Sequence, residues 1–241
     1  MKSFKILVAV SVLALSATSA IAGGVGDQYG SWGGSSSYGG GAGWNDTSGG
    51  QSTIMNGQVT LQTQWSNLNT TVDSIGGDAA FQGAAAGNMV DIMTMNNTVV
   101  NNSQFVGPNA AIGSNINADM SNVWGSVGIS NQALCNGASV STDPVLTEIN
   151  SRQVCKASDP ATQTNANING VVGDMAIQSL SMANSFEADS NAQNMPIQNM
   201  QMNSSIGAST INANTSNIGG SMSLTSGAIG NKAQILHYST N

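Results

Sequence analysis

Charge is what this chain has least of. Asp, Glu, Lys and Arg together make up 7% of its 241 residues, against roughly 25% in an ordinary globular domain. The shortage falls hardest on the bases: five Lys and Arg stand against twelve acids. An acidic chain with few, scattered bases has no electrostatic footprint for nucleic acid or anionic lipid. Histidine is nearly missing too, since His237 is the only one. No His-based triad, zinc cluster or general-base array can be built from it without a matching acid or nucleophile motif. The carboxylates Asp73, Asp78, Asp91, Asp119, Asp174, Glu187 and Asp189 are scattered. None falls into an EF-hand loop or the glycine-aspartate nonapeptide of calcium-binding β-rolls. These shortages predict a protein that is not an enzyme and carries no cofactor.

A membrane-spanning run is lacking as well. Ile6–Ala17 is an apolar run of about a dozen residues, short of the roughly 20 that cross a bilayer as a helix. Lys2 and Lys5 precede it, and Ala20-Ile21-Ala22 follows it ahead of Gly23. That layout predicts a secretory signal peptide over residues 1–22. Cleavage would remove two bases and no acid, leaving three bases against twelve acids and a net charge of −9. The expectation is a secreted, extracellular, cell-surface protein with no membrane-spanning segment in its mature chain. Only two cysteines occur, Cys135 and Cys155. An even count in a secreted chain predicts a disulfide. Its loop would hold Asp143, Pro144, Glu148 and Arg152, and the chain-entropy model gives such a bond roughly 3 kcal/mol.

Gly, Ser, Thr, Asn, Gln and Ala fill the space that charge leaves. Aligned amides and hydroxyls can satisfy one another between stacked strands, whereas stacked like charges repel. Residues 23–55 read as a flexible Gly-rich arm, where glycines alternate with Ser and with Tyr29, Trp32, Tyr38 and Trp44. So much glycine makes ordering the backbone costly. From residue 56 the pattern changes. Val59, Leu61, Thr63 and Trp65 alternate with Gln58, Thr60, Gln62 and Gln64, a strand pattern of period two. A unit then recurs in which Ile or Val precedes Gly, with small apolar residues at +4 and +6. Instances begin at Ile75, Val106, Ile112, Val127, Val172, Ile206, Ile218 and Ile229. Positions 0, +4 and +6 share parity, so on an extended chain they face one way. The last three units lie twelve and eleven residues apart, which suits one short strand and turn each. Such strands bury their apolar side only by stacking. The assembly and core residues read from this repeat are Ile75, Ile112, Val127, Ile206, Ile218 and Ile229.

Two stretches admit two readings. Met175, Ala176, Ser179, Met182, Ala183 and Phe186 fit one face of a helix over 174–188, while Ala176, Leu180, Met182 and Phe186 fit one face of a strand. Met93 with Met95, and Met195 with Met200 and Met202, are either filler for irregular cores or soft thioether ligands for Cu(I).

The N-terminal layout, the aromatic-bearing arm and repeats with Ala228-Ile229-Gly230-Asn231 and Ser205-Ile206-Gly207 resemble bacterial surface-fibre proteins. The nearest types are the curli and Fap amyloid subunits and the holdfast-anchor proteins of stalked bacteria. The resemblance covers roughly residues 56–241. The regular Ser, Gln, Gly, Asn, Gln positions of curli are absent, and the chain ends Tyr238-Ser239-Thr240-Asn241 rather than with the Cys-x-Cys of the Fap fibre subunit. No functional residue carries over. The resemblance implies export through an outer-membrane secretion pore and self-assembly on the cell surface. The predicted fold is all-β over 56–241: a degenerate-repeat β-solenoid-like stack, or amyloid-like stacked strands, with a disulfide loop at 135–155. The predicted function is a structural protein of a surface fibre, adhesin or biofilm matrix. A soluble periplasmic or extracellular binding module, with methionines for Cu(I), is the alternative.

Overall fold

The computed structural model describes residues 52–95, 97–142, 147–156, 159–191 and 195–238. The predicted signal peptide, the arm up to residue 51, Asp143 and Pro144 lie outside the described residues. Among the described residues twelve strands follow one another: β1 (Ser52–Thr60), β2 (Gln64–Ile75), β3 (Ala79–Thr94), β4 (Thr98–Val106), β5 (Ile112–Val123), β6 (Val127–Thr142), β7 (Thr147–Cys155), β8 (Ala161–Val171), β9 (Met175–Ser190), β10 (Ile197–Asn203), β11 (Ala208–Ile218) and β12 (Met222–His237). They form three four-stranded sheets, ordered β1-β4-β7-β10, β2-β5-β8-β11 and β3-β6-β9-β12, with every pairing parallel. The chain thus visits the first, second and third sheet in turn, four times over. We call each visit a coil, so coil 1 is β1–β3 and coil 4 is β10–β12.

The all-β stack of parallel strands matches the expected fold class. β1 begins at Ser52, inside the segment read as arm. The 174–188 stretch is the strand β9, not a helix. Met175, Ile177, Ser179, Ser181 and Ala183 are buried, and the side chains between them are not.

Layers are related by about four dozen residues rather than a dozen. Hydrogen-bonded partners in adjacent coils lie 48 residues apart at Asn136 and Asn184 and 49 apart at Gln104 and Gln153. The spacings of twelve and eleven measure something else: Ile206, Ile218 and Ile229 sit before, at the end of, and within successive strands of one coil.

Each corner between the second and third sheets is built alike. Ile75, Val123, Val171 and Ile218 form one paired column. Just ahead of it stand Ser74, Asn122, Gly170 and Asn217 with φ of 64°, 55°, 74° and 55°, a left-handed backbone that Asn and Gly adopt most readily. Two residues beyond the column come Gly77, Gly125, Gly173 and Gly220, whose backbones bond from coil to coil. A Cβ on Gly173 would sit 2.7 Å from the Gly125 carbonyl oxygen, so the approach requires glycine.

The third sheet bends, because its long strands serve both other sheets. Val127, Ile129, Met175 and Ile177, from its first half, share a core with Ile116, Ala118 and Met120 of the second sheet. Ala138, Val140, Phe186 and Ala188, from its second half, share another with Val100 and Ile149 of the first. Between the halves, pairing skips Gly87, Cys135, Ala183 and Gly230, and Cys135 and Asn136 are buried in succession. The inward parity flips there, so a strand of fixed period cannot describe the whole element.

Candidate assembly interface

The second half of β1 turns polar side chains inward, although Ile54 on the same face packs on a core. Val59, Leu61 and Trp65 are exposed, whereas Asn56, Gln58 and Thr60 turn inward. The predicted strand 58–65 also breaks between β1 and β2. Inward polar groups are tolerable because they form ladders. Gln104 Nε2 donates to Gln58 Oε1, Gln153 Nε2 to Gln104 Oε1 and Gln201 Nε2 to Gln153 Oε1, each at 2.8 Å. Each of the four Nε2 groups also donates sideways to a third-sheet carbonyl: Met89, Gly137, Ser185 and Lys232 in turn. A second ladder fills the bend. Asn88 Nδ2 donates to Asn136 Oδ1 at 2.8 Å, Asn136 to Asn184 at 2.8 Å and Asn184 to Asn231 at 2.7 Å. The two ladders run in opposite directions, the glutamine donors toward coil 1 and the asparagine donors toward coil 4.

The corners carry a second order, with period two. Asp78, Ser126, Asp174 and Ser221 occupy successive coils. Asp78 Oδ1 accepts from the Ser126 backbone N–H and Asp174 Oδ1 from that of Ser221, both at 2.7 Å. Between coils 2 and 3 the bond is instead Asp174 N–H to Ser126 Oγ, at 3.3 Å. The same alternation appears at Asp73, Ser121, Asn169 and Ser216. Asp73 Oδ1 accepts from Ser121 Oγ at 2.6 Å and Asn122 Nδ2 at 2.9 Å. Asn169 Oδ1 accepts from Ser216 Oγ at 2.9 Å and Asn217 Nδ2 at 2.8 Å. A third column runs Asp91, Ser139, Glu187, Gln234. In these columns no carboxylate stacks on another, which removes the like-charge repulsion of directly opposed residues. The hydrogen bonds from Ser121, then Asn122, hold the Asp73 carboxyl below its ordinary range.

The predicted disulfide is present. Cys135 of coil 2 is bonded to Cys155 of coil 3, Cα to Cα 5.9 Å, and both are fully buried with Val106, Ala110, Ile112 and Ala183. It therefore ties two adjacent layers together. The six repeat residues do not share one role. Ile75 and Ile218 occupy the same corner column and pack on the core. Ile112 and Val127 are fully or almost fully buried at the starts of β5 and β6. Ile206 lies between strands and is 76% exposed. Ile229 pairs with Met182, which pairs with Leu134. That column faces outward over the bend, where Leu134 covers Gly137. The rule of Gly at +1 missed Val123 and Val171, because Trp124 and Val172 follow them. The glycine common to all four corners stands at +2.

The methionine readings fare differently. Met93, Met95, Met200 and Met202 are exposed, so the core-filler role is corrected for them: strand parity points Met93, Met200 and Met202 outward, and Met95 lies just past the end of β3. Met195 alone of that group packs partly on a core. Met93 and Met95 belong to the coil 1 end and Met200 and Met202 to coil 4, on different sheets. Among the described residues no three His, Cys, Asp or Glu side chains converge as a metal site, and no helix is long and apolar enough to cross a membrane. His237 is exposed at the end of β12.

What the geometry defines is a stack with two unfinished ends. Among the described residues β1, β2 and β3 pair on one side only, as do β10, β11 and β12. No family model, no curated protein and no solved structure matches the chain.

Proposed function

We propose that this chain is a secreted structural protein, without catalytic activity, whose strands stack between copies to form a surface fibre, adhesin or biofilm matrix. The observation that carries this reading is the pair of open ends. Each presents three parallel strand edges whose backbone donors and acceptors are unpaired on one side among the described residues. Exposed, flat strand edges are templates for further pairing, and proteins that remain monomeric blunt them with charge, proline or a covering element. Here the edge strands of coil 4 hold a single Lys and no acid or proline. Low charge and aligned amides favour addition of further layers. The buried disulfide suits an oxidising compartment, and delivery through an outer-membrane secretion pore follows from the surface destination.

The test uses the full chain, expressed with its own N-terminus and purified. It is expected to form filaments visible by electron microscopy, to bind thioflavin, and to diffract at the spacing between paired strands, about 4.7–4.8 Å. A sample that stays monomeric for days with none of these signals overturns the proposal.

A further inference from the structure

We infer that copies join head to tail in register, coil 4 of one chain seated on coil 1 of the next, and that the interface between coils 2 and 3 is the pattern for this joint. The inference rests on the stacking function proposed above and adds its polarity, register and contacts.

Three observations carry it. The first is the period-two order of the corners. Coils 1 and 3 bear Asp78 and Asp174, and coils 2 and 4 bear Ser126 and Ser221. Four is an even number, so coil 4 followed by a second copy's coil 1 continues the alternation, with Ser221 facing Asp78 as Ser126 faces Asp174. The second is ladder direction. Gln201 Oε1 has no donor among the described residues, and Gln58 Nε2 at the other end spends one bond on Met89. Gln58 of the next copy can donate to Gln201 as Gln153 donates to Gln104. Asn231 can likewise donate to the next Asn88. The third is charge. β1–β3 hold Asp73, Asp78 and Asp91 and no Lys or Arg, while β10–β12 hold Lys232 and no acid. Lys232 shares a column with Met89, two residues from Asp91 on the same face, within reach of a long side chain. A joint of two coil 1 ends would instead oppose acids and run the strands antiparallel.

The disulfide supplies a built-in probe. Thr60 and Val106 stand in the column of Cys155, and Gly230 occupies in β12 the skipped position that Cys135 occupies in β6. Thr60→Cys with Gly230→Cys therefore recreates the Cys135–Cys155 pair between copies. Within one chain these positions lie three layers apart, roughly 14 Å at the spacing of paired strands, which no disulfide spans. No native cysteine is free to compete.

Filaments of the double variant, oxidised and run on a non-reducing gel, are expected to give a ladder of covalent oligomers that each single variant lacks. Asn69→Cys with Asn212→Cys, on the exposed face of the second sheet, tests the same register without entering the core. Lys232→Glu is expected to slow seeded elongation about tenfold, and adding Asp91→Lys to restore it. Dimers from Thr60→Cys alone would reveal a joint of two coil 1 ends and overturn the inference. Filaments in which neither cysteine pair crosslinks overturn it too, while leaving the stacking function standing. Failure of the unmodified chain to form filaments overturns the stacking function itself.

Discussion

Coils 2 and 3 and coils 1 and 4 contain nearly the same columns, yet they differ in what surrounds them. Asn136 and Asn184 are fully buried, but Asn231 in the same ladder is exposed. Gln104 and Gln153 are buried, while Gln58 and Gln201 are half-buried. Ile116 is buried, whereas Leu68, its partner in coil 1, is only partly so. Much of the burial at these positions is conferred by the next layer, although Asn88 of coil 1 is itself buried. Among the described residues the end coils are middle coils missing a neighbour, and an identical substitution should cost more in the middle than at an end.

The largest contrast is expected in the asparagine ladder. Asn136→Ala strips Asn184 Oδ1 of its donor from the ladder and leaves Asn88 Nδ2 only its bond to the Phe105 carbonyl. One group orphaned at about 1–3 kcal/mol and one further bond lost at about 1 kcal/mol should lower the stability of the unassembled chain by up to about 4 kcal/mol. Asn231→Ala removes one acceptor at an exposed position, Asn184 Nδ2 keeps its bond to the Met202 carbonyl, and the cost should be less than about 1 kcal/mol. Urea midpoints of the two variants measure the gap. Equal midpoints would mean that the middle layer is no better enclosed than the end. If copies stack as inferred, the gap should narrow in filaments.

Next in size is the staple between coils 2 and 3. Replacing Cys135 and Cys155 by Ala should cost about 3 kcal/mol, the value expected for a loop of this length, since the sequence separation is 20. The loss should appear in the denaturation midpoint of the unassembled chain with and without reductant. An unchanged midpoint would mean that the ladders and apolar columns hold the middle layers without it.

Much of this architecture could be read along the chain, and the misreadings share one cause. Low charge, amide content and the paired cysteines pointed to stacked β-structure with a disulfide. The corner unit at Ile75 and Ile218 was legible because Gly76 and Gly219 follow those residues. Its counterparts Val123 and Val171 were not, since Trp124 and Val172 break the pattern. Comparing the chain with itself at a 48-residue offset aligns the first three corners and Asn88, Asn136 and Asn184, and an offset of 47 brings in the fourth corner and Asn231. The inward face of β1 was misread because Val59 and Leu61 suggested an apolar interior, whereas Gln58 is inward and satisfied by its ladder. A ladder is a property of several layers, and a single strand gives no sign of it. The bend at Cys135 was hidden for the same reason, since its two halves answer to different sheets.

The smallest effect separates two corners of one column. Asp73 and Asn169 do the same work, each accepting from a Ser hydroxyl and an Asn amide of the next coil, but only Asp73 titrates. Hydrogen bonds from Ser121, Asn122 and Ser74 favour its charged form and lower its pKa. A carboxyl whose folded pKa is depressed adds stability that is present above its unfolded value, near pH 4, and is lost as pH falls through the folded value. The Asn169 corner has no such dependence. Melting temperatures followed from about pH 5 down to pH 2 should therefore fall more for the unmodified chain than for Asp73→Asn, which copies the coil 3 corner into coil 1. The two proteins differ only at residue 73, so the difference between the two curves isolates Asp73. Asp73 is exposed, and the difference should be slight and shrink with added salt. Superimposable curves would mean that the charge is idle and that the two corners are held by geometry alone.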